Sequence, residues 1–401
     1  MDATHSHYGF SHDMVQNFLH NENMKAHSFQ TVSDIRIENG GASKLDQYVQ
    51  GLCKNKRVAV ITDKGVAGLG LMDAGLAALQ DAGYKVMVFD EVVADPPEAI
   101  VLKGVQAVKE FQAGLVIGFG GGSPMDTAKV IAYMAANDRP IKEVYGVGNA
   151  TGKRLPLMLI PTTSGTGSEV TNVAIITTGE TEKSGIVADA LYADRVLLDS
   201  ALTVGLPKSI TAATGIDAMV HAIEAYTSVK QKNPISDALA LTALSKLRNS
   251  IVQACNHPDD LEARETMLIG AMLAGQAFSN APVGAVHALA YPLGGFFHVP
   301  HGLSNALVLT EVLKYNQSEA DGWYGEIASS LGLGSKSGAL IDDMIRIKNE
   351  TAVPLTLTEV NIPADAIPIM AEDAMTKDRV LQNNPRAMTY DATVKIYESI
   401  L

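Results

Sequence analysis

The sequence predicts an α/β domain followed by an all-α domain, and three observations carry that reading. Through the first half, short and nearly all-apolar segments alternate with amphipathic helical stretches, as expected of a mostly parallel sheet covered on both faces. Beyond Leu206-Pro207 the strand signals nearly vanish and helical periodicity takes over. One apolar segment also runs directly into a glycine-rich turn, Gly120-Gly121-Gly122-Ser123, ahead of a helical stretch. At 401 residues the chain is long enough for two hydrophobic cores.

Along the chain, residues 1–27 form an N-terminal extension holding five of the ten histidines, His5, His7, His12, His20 and His27. Their irregular spacing reads as a solvated segment rather than a metal site. Residues 28–205 form the α/β domain, with strand candidates at 57–63, 84–92, 114–120, 155–163 and 195–200. The helical stretches GLGLMDAGLAALQDAG and EAIVLKGVQAVKEFQAG separate the first three. Residues 206–401 form the helical domain, opening with SITAATGIDAMVHAIEAYTS, ISDALALTALSKLRNSIVQAC and LEARETMLIGAMLAGQAFS. The chain has no internal repeat and no low-complexity linker.

Composition narrows the classes of function. A net charge of −13 argues against nucleic acid or an anionic membrane surface as the main partner. Cys53 and Cys255, the two cysteines, are too few for a disulfide framework. No apolar run reaches membrane-span length and the N-terminus lacks a signal-peptide pattern, so a cytoplasmic location is expected.

Two groups of residues carry candidate chemistry. The turn Gly120–Ser123 leaves bare amides at a helix N-terminus, with Pro124 suited to the first turn, and such a turn can receive a pyrophosphate. It is neither a full GxGxxG fingerprint, since Ser123 takes the last position, nor a Walker loop. The segment Pro161–Ser168 adds hydroxyls and amides after another strand. Asp63 ends the first strand candidate, where a carboxylate can accept from a ribose diol and repel a 2′-phosphate.

The second group is Asp217, His221, His287 and His301. Asp217 and His221 stand four apart in a helical pattern and so share a face. His287 and His301 bracket a Gly- and aromatic-rich stretch that can fold back toward that face. Three nitrogens and one carboxylate suit Fe(II) or Zn(II), which would either staple the helical domain or act as a Lewis acid on a substrate oxygen. His298 is read as a pocket residue or a partner of the ligands.

These residues resemble the iron-containing (group III) alcohol dehydrogenase family, whose fold is shared with dehydroquinate synthase and glycerol dehydrogenase. The resemblance runs from about residue 35 to 401 and rests on GGGSPMDTAK, PTTSGTGSEVT, TAATGIDAMVHAIEAY, GAVHALAYPLGGFFHVPHG and NNPR. It implies a Rossmann-like domain binding NAD, a helical domain holding the metal, and an active site in the cleft between them. The family's ligand positions match Asp217, His221, His287 and His301. Its cofactor positions match Gly121, Gly122, Ser123, Thr162, Thr163 and Lys183, with Asp126 near the nicotinamide and Asp63 favouring NAD over NADP. Tyr291 stands where many members carry a second pocket histidine, and Asp95 where an Asn is common.

The expected activity is reversible hydride transfer between NAD and an alcohol, aldehyde or small ketone, with Tyr291 or His298 helping to move the proton. The resemblance also implies a homodimer or larger homo-oligomer. Alternatives are a glycerol dehydrogenase-like or maleylacetate reductase-like enzyme on the same fold, or a non-catalytic nucleotide- and metal-binding protein.

Overall fold

The computed structural model describes residues 27–179 and 182–401, so His5, His7, His12 and His20 of the N-terminal extension lie outside the described residues. The strands are β1 (Ile35–Ile37), β2 (Arg57–Asp63), β3 (Lys85–Val92), β4 (Leu115–Gly120), β5 (Gly146–Val147), β6 (Leu157–Pro161), β7 (Val173–Thr178), β8 (Glu182–Val187) and β9 (Arg195–Leu198). Among them run helices α1 (Leu45–Tyr48), α2 (Lys64–Gly68), α3 (Asp73–Asp81), α4 (Glu98–Phe111) and α5 (Gly122–Ala136).

Six strands form one sheet in the order β1-β9-β6-β4-β2-β3, with every pairing parallel. β4 lies inside and is buried at every residue, as its sequence LVIGFG requires, whereas edge strand β3 is half exposed. Separate apolar clusters cover the two faces. Chain order reverses around β2: β3 lies on one side and β4 on the other. Such a switch point opens a crevice beyond the carboxyl ends of the strands. Here those ends are Asp63 and Gly120.

A second sheet, β5-β8-β7, was not foreshadowed by the apolar pattern. Its β7–β8 hairpin is short, half buried and interrupted by Thr177, Thr178, Glu182, Lys183 and Ser184, so it lacks the all-apolar signature of the main strands. Of the helical stretch expected at 68–83, α3 (Asp73–Asp81) forms the helical part; Gly70 turns the chain at φ 68 ahead of it, and α2 (Lys64–Gly68) ends at the first residue of the stretch.

From Lys208 onward the described structure is helical: α6 (Lys208–Thr227), α7 (Pro234–Asn256), α8 (Leu261–Asn280), α9 (Ala285–Phe297), α10 (His301–Ser330), α11 (Ser337–Thr351), α12 (Ile367–Met375), α13 (Asp378–Leu381) and α14 (Tyr390–Ser399). Asn233 and Asp260 cap α7 and α8 by accepting from Ser236 N and Ala263 N at 2.9 and 3.0 Å. α6 is buried nearly all round and packs against α7, α8 and α10, which makes it the axis of this half. Among the described residues no helix is long and apolar enough to cross a membrane.

Candidate metal centre and cofactor cleft

Asp217 and His221 project from one face of α6, one turn apart. α9 carries His287 in its first turn and ends at Phe297. His298 then adopts a left-handed conformation at φ 56, and Val299-Pro300 lead straight into α10, which starts with His301. This tight corner folds α10 back beside α9, bringing the His287 and His301 rings to 5.4 Å between centroids. Ligand-capable atoms of Asp217, His221, His287 and His301 all lie within 4.8 Å of one another. His298 itself is exposed and makes no side-chain hydrogen bond among the described residues; what it visibly does is turn the corner.

Two further residues shape the cluster. Glu224 is buried and accepts from His287 Nδ1 at 2.6 Å, while its other oxygen accepts from Val286 N at 2.7 Å. A carboxylate partner places the ring proton on Nδ1 and leaves the Nε2 lone pair facing the cluster. Asn305, one turn after His301, donates to Asp217 Oδ1 at 2.6 Å and sits 3.3 Å from Nε2 of both His287 and His301. Sequence reasoning passed over both. Glu224 continues the helical face of Asp217 and His221, at seven and three residues' distance, and that period was the available signal.

Electrostatics favour a metal-ready state. Burial drives His221 down to about 3, and burial likewise lowers His301, so both imidazoles are neutral at physiological pH. Burial alone would raise Asp217, but the surrounding imidazoles and the Asn305 hydrogen bond outweigh it and hold the carboxyl below its ordinary range. Neutral imidazoles with an ionised carboxylate are the protonation states that ligation needs. Packing fixes the rings: His221 stacks on Phe278 at 4.5 Å and on His287 at 4.8 Å. Tyr291 stacks on His301 at 6.2 Å and meets His287 edge-on at 6.4 Å. Burial pushes the Tyr291 hydroxyl up to about 12.

On the facing wall, Gly121 caps α5 and Gly122 and Ser123 begin it. Gly120 turns at φ 148, and a Cβ there would meet Pro124 Cγ at 2.7 Å. Asp63 caps α2 by accepting from Val66 N at 2.9 Å through Oδ1, while Oδ2 faces the glycine turn, 3.6 Å from where a Cβ on Gly120 would stand. Thr162 N donates to Gly120 O at 3.0 Å, and Thr163 lies against Gly121.

The segment 161–168 joins the two walls. A Cβ on Gly122 would stand 2.9 Å from Thr166 Cγ2, and one on Gly165 would stand 2.6 Å from Thr214 Cβ of α6. His221 Nδ1 is buried and has no hydrogen-bond partner among the described residues. One loop therefore touches both the glycine turn and the helix bearing two of the clustered side chains. Lys129, fully buried, fastens this loop by donating to Ser168 Oγ (2.7 Å), Thr171 Oγ1 (3.1 Å) and Val173 O (2.7 Å). The Asp126 carboxylate is occupied in the same way, accepting from Ser168 Oγ at 2.5 Å and Ile175 N at 2.9 Å. Lys183, on β8, pairs with Asp95 at 2.7 Å, and its Nζ lies 3.5 Å from where a Cβ on Gly294 of α9 would stand.

Residues 33–200 match the family model described as iron-containing alcohol dehydrogenase, and residues 211–401 match the C-terminal model of the Fe-containing alcohol dehydrogenase family. Long-chain-alcohol dehydrogenase 1 of Geobacillus thermodenitrificans is 39% identical over 371 residues, covering 90% of this chain and 93% of its own. A sulfoacetaldehyde reductase of Bilophila wadsworthia is 33% identical over 379 residues, covering 92% and 97%. Among solved structures, a 1,3-propanediol oxidoreductase superposes with a TM-score of 0.90 at 32% identity, covering 94% of this chain and all 100% of the other.

Proposed function

The chain belongs to the iron-containing alcohol dehydrogenase family, enzymes that act on alcohols and aldehydes with a nicotinamide dinucleotide and a metal, and from that premise we propose reversible, NAD-linked oxidation of an alcohol to its carbonyl. The observation that carries this reading is the convergence of three imidazoles and one carboxylate within 4.8 Å on one wall of the cleft, joined by a single loop to the glycine turn on the other. A divalent metal held by Asp217, His221, His287 and His301, with Fe(II) first and Zn(II) second, would supply Lewis acidity toward the substrate oxygen, and the nicotinamide would exchange the hydride.

The chain's own residues do the rest. Gly121, Gly122 and Ser123 offer backbone amides to the pyrophosphate, with Thr162, Thr163 and Lys183 as further cofactor contacts. Asp126 acts through the loop it braces. Asp63, with one oxygen free of the helix cap, accepts from the ribose diol and disfavours a 2′-phosphate. Tyr291 keeps its proton throughout the physiological range and, stacked on His301, is assigned the relay of the substrate proton, with exposed His298 assigned to its exchange with solvent.

The names of the relatives run from a long-chain alcohol to sulfoacetaldehyde, so the substrate must be found by experiment. Protein loaded separately with Fe(II) and with Zn(II) is assayed at the reduced-nicotinamide band against a panel of alcohols and aldehydes. Turnover that a chelator abolishes is expected. NAD binding without turnover of any panel member would favour a non-catalytic nucleotide- and metal-binding protein.

A further inference from the structure

Among the described residues, the cleft mouth beside Tyr291 holds two cationic side chains, Lys183 and Arg379, and one ion pair, Lys183 with Asp95. Lys183 and Gly185 stand two apart on β8 and so face the same side of the hairpin. The space that Gly185 leaves open is taken by Arg379 from α13, whose Nη1 lies 3.5 Å from where a Cβ would stand. Arg379 and Lys183 are thus neighbours on one face, contributed by opposite walls of the cleft. Lys183 is neutralised by Asp95 at 2.7 Å. Arg379 is exposed and, among the described residues, forms no ion pair with a carboxylate within 4.0 Å.

This cationic rim adjoins the reacting centre. Gly294, against which Lys183 Nζ rests, follows Tyr291 by three residues and lies on the same face of α9. Tyr291 in turn stacks on His301. The Arg379 charge also reaches the Tyr291 hydroxyl, pulling against the burial that raises it. In a chain of net charge −13, a guanidinium with no ion pair among the described residues, beside the pocket, is a local reversal of field. Its planar fork suits a carboxylate or a sulfonate.

Resting on the alcohol dehydrogenase reading above, we propose that Arg379 is a substrate-binding specificity residue and that the substrate is a short alcohol or aldehyde bearing an anionic group. The oxygen to be oxidised or reduced faces the Asp217–His301 cluster, and the anionic end lies across Tyr291 against Arg379.

The test compares 4-hydroxybutanoate and 2-hydroxyethanesulfonate with 1-butanol and 1,4-butanediol, using metal-loaded native protein and the Arg379→Gln and Arg379→Lys variants. The native enzyme is expected to favour an anionic substrate. Arg379→Gln should lower the anionic-to-neutral ratio of kcat/KM by about tenfold to a hundredfold, mostly through KM, and Arg379→Lys should restore part of it. The carboxylate and sulfonate arms show which anion fits better. A native preference for neutral alcohols overturns the proposal while leaving the dehydrogenase reading intact. So does a loss shared equally by both classes, or one that appears in the KM for NAD. If no alcohol is turned over, the dehydrogenase reading fails by itself, and calorimetric titration of butanoate decides the anion site. Binding lost in Arg379→Gln upholds that site, and absence of binding to the native protein overturns it.

Discussion

The two walls of the cleft meet a ligand by different means. The helical wall presents side chains: three imidazoles and a carboxylate, oriented by Glu224, Asn305 and ring stacking. The α/β wall presents backbone: the amides beyond β4, exposed because Gly121 and Gly122 carry no Cβ. Each wall also buries a carboxylate, with opposite outcomes. Asp217 sits among nitrogen donors and is held below its ordinary range. Glu169, in the loop that Lys129 fastens, is pushed by burial up to about 7. A buried carboxylate grouped with metal-ligating nitrogens is set up to bind a cation, while one whose burial outweighs the charge of its neighbour Lys129 weakens the fold when it ionises.

That contrast can be broken most forcefully on the helical wall. His287→Ala removes a donor from the cluster, so metal retained after loading should fall well below one ion per chain, with turnover down by more than about a hundredfold. Full occupancy by elemental analysis would remove His287 from the site. Glu224→Gln keeps all four donors and alters only the partner of His287 Nδ1. Metal affinity, followed by competition with a chelator, should weaken by about tenfold to a hundredfold.

On the α/β wall the effects are smaller and of another kind. The folded protein holds the Glu169 proton until about pH 7, whereas the unfolded chain releases it near 4.5. The stability this group contributes is therefore full below about pH 4.5 and lost as pH rises through about 7. Glu169→Gln should flatten that decline and raise stability at pH 8 by on the order of 3 kcal/mol, offset in part by the effect on buried Lys129. Denaturant melts at pH 5 and pH 8 measure it, and parallel curves for the two proteins would show that Glu169 does not titrate in this window. Smallest of all, Asp63→Gly should leave stability within a few tenths of a kcal/mol, because glycine is a tolerated helix cap. The NADP-to-NAD ratio of kcat/KM should nonetheless rise severalfold, and an unchanged ratio would remove Asp63 from ribose recognition.

The difference between the walls also explains what could be read from the chain alone. All-apolar runs such as LVIGFG located five of the six strands of the main sheet but not β1, whose three residues Ile35–Ile37 are too short to stand out, and a spacing of four placed Asp217 and His221 on one face. The corner that unites His287 with His301 was not legible. It depends on His298 taking a left-handed conformation, which local sequence does not dictate. The β7–β8 hairpin was missed because it is short, polar and half buried, yet it places Lys183 and Gly185 at the cleft mouth. That Asp126 also braces a loop was not legible, since its partners Ser168 and Ile175 come from far along the chain. Periodicity reveals a shared face within one element; partners brought from distant elements come into view with the fold.

The central claim, that one metal in the Asp217–His221–His287–His301 cluster enables hydride exchange with a nicotinamide across the cleft, is tested most directly by reconstitution. Chelator-stripped protein is titrated with Fe(II) or Zn(II) while the rate of NAD reduction by an active alcohol is followed. The rate should rise from near zero and level off at one ion per chain. Full turnover by the stripped protein, with no metal detected, would contradict the account.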